Sequence, residues 1–442
     1  MMAPILYRFL VFFLIMVQTL NAQHNLTGTF SPAKNYKWVL VYHQKPNGQL
    51  NFVAEGGISN GKTEISLPKE APKGTYRVVY GLPEDKNYFE ILYSGEENIS
   101  FSFSPQGLTF IQSEENKIIS GYFSEIYTLE NKLINFYRSR STDVSQLDAI
   151  IRSLKEVQAT YEKKSDGLMA KHFIKANHPY IPTTNENAVT YIINSKDHYF
   201  DHLDSNNKVL QGSNFLNDKL FNYVFTSLPP KRLSAVEVEK VMQENVTVLM
   251  KHLSNGDESF KLYFLYALWK KASDNKMNSL ADIIYNEHLK SVAVSQDKTS
   301  LIKVIDKYNT LRVGATAPDI VGEENSKNLS DLSESDYYLL VFWNSQCPHC
   351  LEQLPILHEK LTTLSQLKVL AIGLESDLES WKKESAQFNG FSHSVSMGEL
   401  ISKVSITYEI KQTPTYYILD AEKKILAKPL TTEEVFEFFK IK

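Results

Sequence analysis

The chain has 442 residues, which is more than one hydrophobic core ordinarily holds, so two or three domains are expected. Apolar residues make up 43% of the sequence and charged residues 22%, and these proportions are typical of soluble globular proteins. The formal net charge of −4 gives no reason to expect binding to nucleic acid or to an acidic membrane surface.

Residues 1–22 have the pattern of a cleaved export signal. Arg8 precedes an unbroken apolar run at residues 9–17, and Leu20-Asn21-Ala22 offers a small residue for cleavage. A membrane anchor is the alternative, but the apolar run is short for a span of about 20 residues. The expected location of the mature protein is therefore the periplasm or cell envelope.

Residues 23–122 predict an all-β sandwich, with a barrel as the alternative. Short runs rich in β-branched and aromatic residues recur about every ten residues, and Pro or Gly turns separate most of them. The predicted strands lie at 25–30, 36–43, 50–53, 63–67, 75–80, 88–92, 99–103 and 108–112.

Residues 123–308 predict a helical middle domain. Apolar residues recur at three- and four-residue steps at 126–136 and 147–157, and later segments such as 215–225 and 235–252 are also helical in character. His198 and His202 share a helical i,i+4 spacing, but we expect surface or core histidines there rather than a metal site.

Residues 309–442 predict an α/β domain. An apolar strand at 337–343 precedes a helix at 348–364, and a second apolar strand at 368–374 precedes a helix at 377–388 with Ser376 as its cap. A hairpin at 415–427, turning at Glu422-Lys423, and a final helix at 432–441 complete the order. This order of elements is that of a thioredoxin fold.

The two cysteines of the chain, Cys347 and Cys350, lie between the first strand and helix of this domain and follow Trp343. A thiolate at a helix N-terminus is stabilised by unpaired backbone N–H groups and by the helix dipole. A second thiol one turn later can resolve a mixed disulfide. The pattern predicts thiol–disulfide exchange, with a structural disulfide as the alternative.

Thr413 and Pro414 precede the predicted hairpin. In thioredoxin folds, a cis-proline loop at this place lies opposite the cysteines, and its backbone can pair with an extended substrate. We therefore expect Pro414 to be cis and Thr413 and Pro414 to be active-site neighbours.

These motifs, together with Val313-Gly314 and Ala317-Pro318, resemble the TlpA/ResA-type thiol:disulfide oxidoreductases. The preceding residues resemble the exported Bacteroidota members, which carry an N-terminal β-domain and a helical middle region. The resemblance implies protein thiols or disulfides as substrates, a membrane-linked or soluble redox partner, and no cofactor or metal.

The same resemblance implies roles for the residues of the Cys-Pro-His-Cys motif. Cys347 would be the nucleophilic thiol and Cys350 the resolving thiol, while Pro348 suits the first helical turn. His349 resembles the histidine of DsbA-type oxidants, whose imidazole would stabilise the thiolate and make the disulfide more oxidising.

Two positions depart from related proteins. Val341 stands where thioredoxins carry a buried Asp, and Gln353 stands where many ResA-type relatives carry a Glu. Cys350 is therefore left without an evident internal base, and water or Glu352 would have to take its proton.

Two further readings remain open at this point: a non-catalytic binding module, and a copper-handling protein that adds His358 or His393 to the cysteines. The direction of electron flow, the client and the role of the first two domains are not given by the sequence.

Overall fold

The computed structural model describes residues 22–183, 185–323 and 326–441. The chain divides into two compact units, residues 1–292 and 293–442. The predicted export signal lies outside the described residues except for Ala22, which begins the first strand. Within the described ranges, no helix is both long and apolar enough to cross a membrane.

The N-terminal unit begins with a β-sandwich. Its two sheets have the strand orders β4-β1-β7-β8 and β3-β2-β5-β6, and all neighbours pair antiparallel except β1 and β7. The strands are β1 (Ala22–Phe30), β2 (Trp38–Gln44), β3 (Leu50–Gly57), β4 (Lys62–Pro68), β5 (Gly74–Val79), β6 (Tyr88–Tyr93), β7 (Ile99–Ser104) and β8 (Gly107–Gln112).

The sandwich core follows from period-2 patterning of the strands. In β4, exposed and buried residues alternate, and Ile65 and Leu67 point inward against Leu26 of β1. Val41 of β2 and Tyr76 of β5 close the same cluster from the other sheet. The predicted all-β sandwich is thus confirmed.

Helices form the rest of this unit. They are α1 (Glu114–Arg138), α2 (Val144–Lys164), α3 (Ala170–Ala176), α4 (Ala188–Asp197), α5 (Lys208–Gln211), α6 (Asn214–Thr226), α7 (Ala235–His252), α8 (Glu258–Asp274), α9 (Asn278–Ile283) and α10 (Lys290–Ser295), with a π-helical stretch at Ile284–Leu289. The predicted helical middle is confirmed. Its first helix begins at Glu114, so the boundary expected at 122/123 falls inside α1.

Side-chain amides and carboxyls join the sandwich to these helices. The Asn116 amide of α1 accepts from the Leu92 N–H and donates to the Leu92 carbonyl, at 2.8 and 2.7 Å, and so takes the place of a neighbouring strand beside β6. Glu90, also on β6, accepts hydrogen bonds from the Gln44 amide and from the Asn214 N–H at the start of α6. The sandwich and the helices of this unit are thus held together by polar contacts as well as by apolar packing.

The C-terminal unit contains a five-stranded sheet with the order β11-β10-β9-β12-β13, in which β12 and β13 run antiparallel to their neighbours. Its elements are α11 (Thr299–Leu311), β9 (Tyr337–Trp343), α12 (Pro348–Leu361), β10 (Leu367–Glu375), α13 (Leu378–Ser385), β11 (Ser392–Met397), α14 (Lys403–Tyr408), β12 (Thr415–Asp420), β13 (Ile425–Ala427) and α15 (Thr432–Phe439).

Both faces of this sheet are covered, which explains why its central strands are continuous apolar runs. One apolar cluster joins Trp343 and Val341 of β9 to Leu354 of α12 and Phe436 of α15. The second cluster, on the other face, joins Phe342 to Tyr408 of α14 and to residues of the 311–332 segment. The predicted α/β thioredoxin fold is thus confirmed.

Two local elements differ from what the sequence predicts. The helix expected at 377–388 with Ser376 as its cap begins at Leu378, and the Asp377 carboxylate caps it by accepting from the Glu379 N–H. Strand β11 was not predicted, because its Ser-rich sequence carries little apolar signal. The boundary expected at 308/309 falls inside α11, whereas the compact units divide after Val292.

Candidate active site

The two thiols lie where β9 ends and α12 begins. Cys347 is the N-cap of α12, and its Sγ accepts a hydrogen bond from the Cys350 N–H at 3.4 Å. Pro348 occupies the first turn of the helix, where the absence of an N–H group leaves no bond unmade. The local sequence thus directs orphan N–H groups of the helix at the sulfur of Cys347.

The Thr413–Pro414 loop lies against the same sulfur. The peptide bond before Pro414 is cis, as the sequence predicts, and β12 starts at the next residue. The Cys347 thiol donates a hydrogen bond to the Thr413 carbonyl at 3.6 Å. A carbonyl on this loop therefore faces the reactive sulfur from outside the helix.

The two sulfurs differ in exposure and in protonation. Cys347 is partly exposed, whereas Cys350 is fully buried, and both are free thiols. Partial burial raises the pKa of Cys347, but hydrogen bonds with the Cys350 side chain, with Thr413 and with the N–H groups of Cys350 and His349 outweigh it and hold that pKa below its ordinary value. Burial raises the pKa of Cys350 to about 12. The thiolate therefore forms more readily at Cys347 than at Cys350.

His349 acts on the sulfur through its backbone. Its N–H is one of the groups that lower the pKa of Cys347. Its imidazole is 62% exposed and points to Glu352, with Nδ1 3.7 Å from the carboxylate. The backbone contact is available to any non-proline residue at this position, which weakens the interpretation of the imidazole as the source of thiolate stability.

The polar residues that could exchange the proton of Cys350 are sparse. Val341 is buried on β9 in the same apolar cluster as Cys350, and Glu352, which the sequence offered beside water as an acceptor for the proton, is 71% exposed on the helix surface. Tyr416 of β12 lies within electrostatic range of the Cys350 sulfur, and its hydroxyl is hydrogen bonded to Thr432 at 3.0 Å. Trp343, expected as an active-site neighbour, is fully buried beneath the site.

A groove of about 300 Å³ opens beside the thiols. Residues from three segments form its walls: the first turns of α12, the cis-proline loop and the N-terminus of α15. The lining includes His349, Gln353, Gln412, Thr413, Pro414 and Glu433. The exposed Leu430 side chain also lines the groove, so its walls are both polar and apolar.

Sequence reasoning missed a buried carboxyl at this site. Glu375, the last residue of β10, is fully buried and accepts hydrogen bonds from the N–H and the hydroxyl of Ser345, each at 2.8 Å. Ser345 lies in the loop that leads to Cys347. Because 30 residues separate the two partners, no local pattern could have paired them.

The histidines considered for copper binding lie elsewhere. The rings of His358 and His393 are hydrogen bonded to the carbonyls of Asn389 and Phe388, respectively. Among the described residues, no group of three or more His, Cys, Asp and Glu side chains is placed to hold a metal ion.

Comparison with known families places a thioredoxin-like domain at this site: residues 335–425 match the family described as thioredoxin-like. This match includes both cysteines and the cis-proline loop. Comparison with curated proteins returns no match.

Solved structures of bacterial proteins are similar to parts of this chain. A domain of a possible thiol-disulfide isomerase from Cytophaga hutchinsonii is 29% identical over 29% of this chain and 92% of its own, with a TM-score of 0.27. The thioredoxin domain of a Bacteroides vulgatus thiol-disulfide oxidoreductase is 24% identical over 29% of this chain and 96% of its own, with a TM-score of 0.26. A thioredoxin-like protein from Bacteroides caccae is 19% identical over 59% of this chain and 96% of its own, with a TM-score of 0.28.

Proposed function

We propose that this protein is an exported thiol:disulfide oxidoreductase of the TlpA/ResA-like type, which exchanges disulfides with other proteins through Cys347 and Cys350. The observation that carries the proposal is the asymmetry of the two thiols. Cys347 is partly exposed at a helix N-terminus with a lowered pKa, and Cys350 is buried with a raised one. This is the arrangement that a nucleophilic and a resolving thiol require.

The reduction of a client disulfide proceeds in two steps. The Cys347 thiolate attacks one client sulfur, a mixed disulfide forms, and the other client sulfur leaves as a thiolate. Cys350 then loses its proton and attacks the Cys347 sulfur, which forms the internal disulfide and releases the client as a dithiol. Two electrons pass to the client, and the same steps in reverse oxidise a client dithiol, so the potential of the partner sets the direction.

The groove is where the client would lie during this exchange. Its wall at Thr413 and Pro414 presents backbone groups next to Cys347, so an extended client segment can hydrogen bond there while its sulfur reaches Cys347. Backbone recognition of this kind accepts many sequences, because the side chains of the client are not read. We therefore assign Trp343, Pro348, His349, Thr413 and Pro414 to the surroundings of the reacting sulfurs, and no metal or cofactor to the reaction.

The place of action is proposed from the N-terminal residues. The apolar run after Arg8 and the small residue Ala22 support export by a cleaved signal to the periplasm or cell envelope. A redox partner there, membrane-linked or soluble, would return the Cys347–Cys350 couple to its starting state.

A redox titration of the purified full chain tests the proposal. The protein is equilibrated in glutathione buffers, its free thiols are alkylated, and the mass gives the oxidised fraction. We expect both thiols to be lost together, with a potential between the thioredoxin value of about −270 mV and the DsbA value of about −120 mV. A Cys347–Cys350 pair that never forms an internal disulfide would sink the proposal.

Two variants sharpen this test. In Cys350→Ser, Cys347 still attacks but nothing resolves the product, so a mixed disulfide with a disulfide-bearing client should accumulate. In the matched variant Cys347→Ser, the remaining thiol is buried, and no mixed disulfide should form. Equal trapping by both variants would contradict the assigned roles.

A further inference from the structure

The loop between β9 and α12 extends the register of the sheet by side-chain contacts. The ladder between β9 and β10 ends with Trp343 opposite Gly373. Beyond it, the Asn344 amide donates to the Leu374 carbonyl at 2.6 Å, and Ser345 meets Glu375 across the next step. The two residues after the strand are thus tied to the last two residues of β10, although no backbone ladder holds them.

Glu375 holds the second of these residues by two bonds. One carboxylate oxygen accepts from the Ser345 N–H and the other accepts from the Ser345 hydroxyl. Ser345 is only 5% exposed, so its N–H has no ready replacement in water. The Glu375 backbone carbonyl also accepts from the Gly398 N–H at 2.8 Å, which ties the loop after β11 to the same residue.

The next two N–H groups of the loop are bonded to Asn344, the residue before Ser345. Gln346 donates its N–H to the Asn344 side-chain oxygen, and Cys347 donates its N–H to the Asn344 carbonyl. The backbone is therefore fixed residue by residue up to Cys347. At Cys347 the sulfur turns toward the N–H groups of α12 that lower its pKa.

The buried surroundings of Glu375 are unfavourable for a charged carboxylate. Burial raises its pKa, both bonds that lower it come from Ser345, and the nearby carboxylates Glu399 and Asp377 raise it further. A buried carboxyl surrounded in this way destabilises the fold relative to an apolar side chain of similar size. The hydrogen bonds of this carboxyl to Ser345 fix the course of the loop that ends at Cys347.

We infer that Glu375 is a positioning residue for the thiol chemistry: by holding Ser345, its carboxyl keeps Cys347 at the N-cap of α12. It touches neither sulfur by hydrogen bond and acts through Ser345 alone. The inference rests on the proposed function for its consequence, but the state of Cys347 can be measured without any client.

Three variants separate positioning from other roles. Glu375→Ala removes both bonds and leaves the Ser345 N–H unpaired. Glu375→Gln keeps both, because its amide oxygen accepts from the N–H while its amide nitrogen donates to the hydroxyl, which is free to turn. Ser345→Ala removes one bond and keeps the carboxyl. Glu115→Ala is the matched control, since Glu115 is 3% exposed and accepts from the N–H groups of Met169 and Ala170 in the other compact unit.

The measurement is the rate of Cys347 alkylation by iodoacetamide between pH 5 and 10, in the folded, reduced full chain. In Glu375→Ala the pKa of Cys347 should rise toward its ordinary value of 9.0. The rate at pH 7 should then fall about tenfold, since one pKa unit is a tenfold change in thiolate. We expect a fall of about threefold for Ser345→Ala, and rates within about twofold of the unaltered chain for Glu375→Gln and Glu115→Ala.

Several outcomes would overturn the inference. Glu375→Gln as slow as Glu375→Ala would assign the effect to the charge or the proton of Glu375 rather than to the hydrogen bonds. Unchanged rates in both Ser345→Ala and Glu375→Ala would show that the loop holds Cys347 without the carboxyl. If Glu375→Ala does not fold, Ser345→Ala and Glu375→Gln still decide, because each keeps a bonded side chain at position 375. A chain that fails the redox titration but shows these shifts would lose the proposed function and keep the positioning role.

Discussion

Glu375 in the C-terminal unit and Glu90 in the N-terminal unit are both enclosed carboxyls whose pKa is raised by burial. The Glu375 carboxyl accepts hydrogen bonds from Ser345, which lies two residues before Cys347. Glu90 is bonded to Gln44 and to the Asn214 N–H, and it joins a strand to a helix. The same perturbation is thus found beside the proposed reaction site in one unit and between a strand and a helix in the other. A raised pKa marks a functional site only when a reactive group lies nearby.

The largest expected effect is the difference in reactivity between the two thiols of the C-terminal unit. At pH 7.5 we expect iodoacetamide to modify Cys347 more than about a thousandfold faster than Cys350, because the lowered pKa of one and the raised pKa of the other set their thiolate fractions. Peptide mapping by mass spectrometry after timed quenching measures both rates. In denaturant the two should react alike, and similar rates in the folded chain would break the assignment of roles.

A steric change where the sandwich meets the helices of the N-terminal unit should affect stability without changing the reactivity of the two thiols. Gly48 has φ +76°, and a Cβ there would lie 2.1 Å from the Tyr263 ring. We expect Gly48→Ala to lower the free energy of unfolding by about 3 kcal/mol, through strain and overpacking together. Urea unfolding followed by circular dichroism measures it.

Gly167→Ala is the control for that change. Gly167 has a similar φ of +80°, but nothing lies within 4 Å of the added Cβ. We expect a loss of about 1 kcal/mol from backbone strain alone. Equal losses in the two variants would show that the contact with Tyr263 does not constrain the turn.

Removal of the Glu90 charge, also where the sandwich meets the helices, should change how the stability of the protein depends on pH. The pKa of Glu90 is about 7 in the folded chain and 4.5 in its ordinary state. The folded chain therefore holds this proton more tightly, and the stability present below pH 4.5 is lost as the pH rises toward 7. Glu90→Gln keeps the acceptor oxygen without the charge. As the pH rises from 5 to 8, its free energy of unfolding should therefore increase by about 2 kcal/mol relative to that of the unaltered chain.

Thermal unfolding at the two pH values measures this gain. The alkylation rate of Cys347 serves as the internal control and should not change in Glu90→Gln. If the stability of Glu90→Gln changed between the two pH values by the same amount as that of the unaltered chain, the role assigned to Glu90 would be contradicted.

The smallest effect is expected at His349. Its backbone N–H supports the Cys347 sulfur, and its imidazole points to Glu352. His349→Ala keeps the N–H, so the alkylation rate of Cys347 at pH 7 should change by less than about twofold. A tenfold fall would restore the imidazole as the source of thiolate stability and would favour the DsbA-like interpretation.

Much of the architecture was predictable because it depends on local patterns. Alternation in strands such as β4 and the apolar run of β9 are each encoded within a few residues. Strand β11 was missed because its Ser-rich sequence resembles a loop, and only pairing with β10 makes it a strand. The start of α1 was missed because Asn116 and Glu115 are polar yet buried against other elements.

The sequence alone determined which two residues we propose as the reacting pair. Two cysteines spaced for one helical turn, behind a strand and before a helix, carry their chemistry in their own local structure, as does the proline that precedes β12. Only the tertiary structure decided which residues surround them. The register between β9 and β10 brings Glu375 to Ser345, and the packing of α15 beside the cis-proline loop forms the groove. These contacts join residues far apart in the chain, and their energies exist only once the sheet has formed.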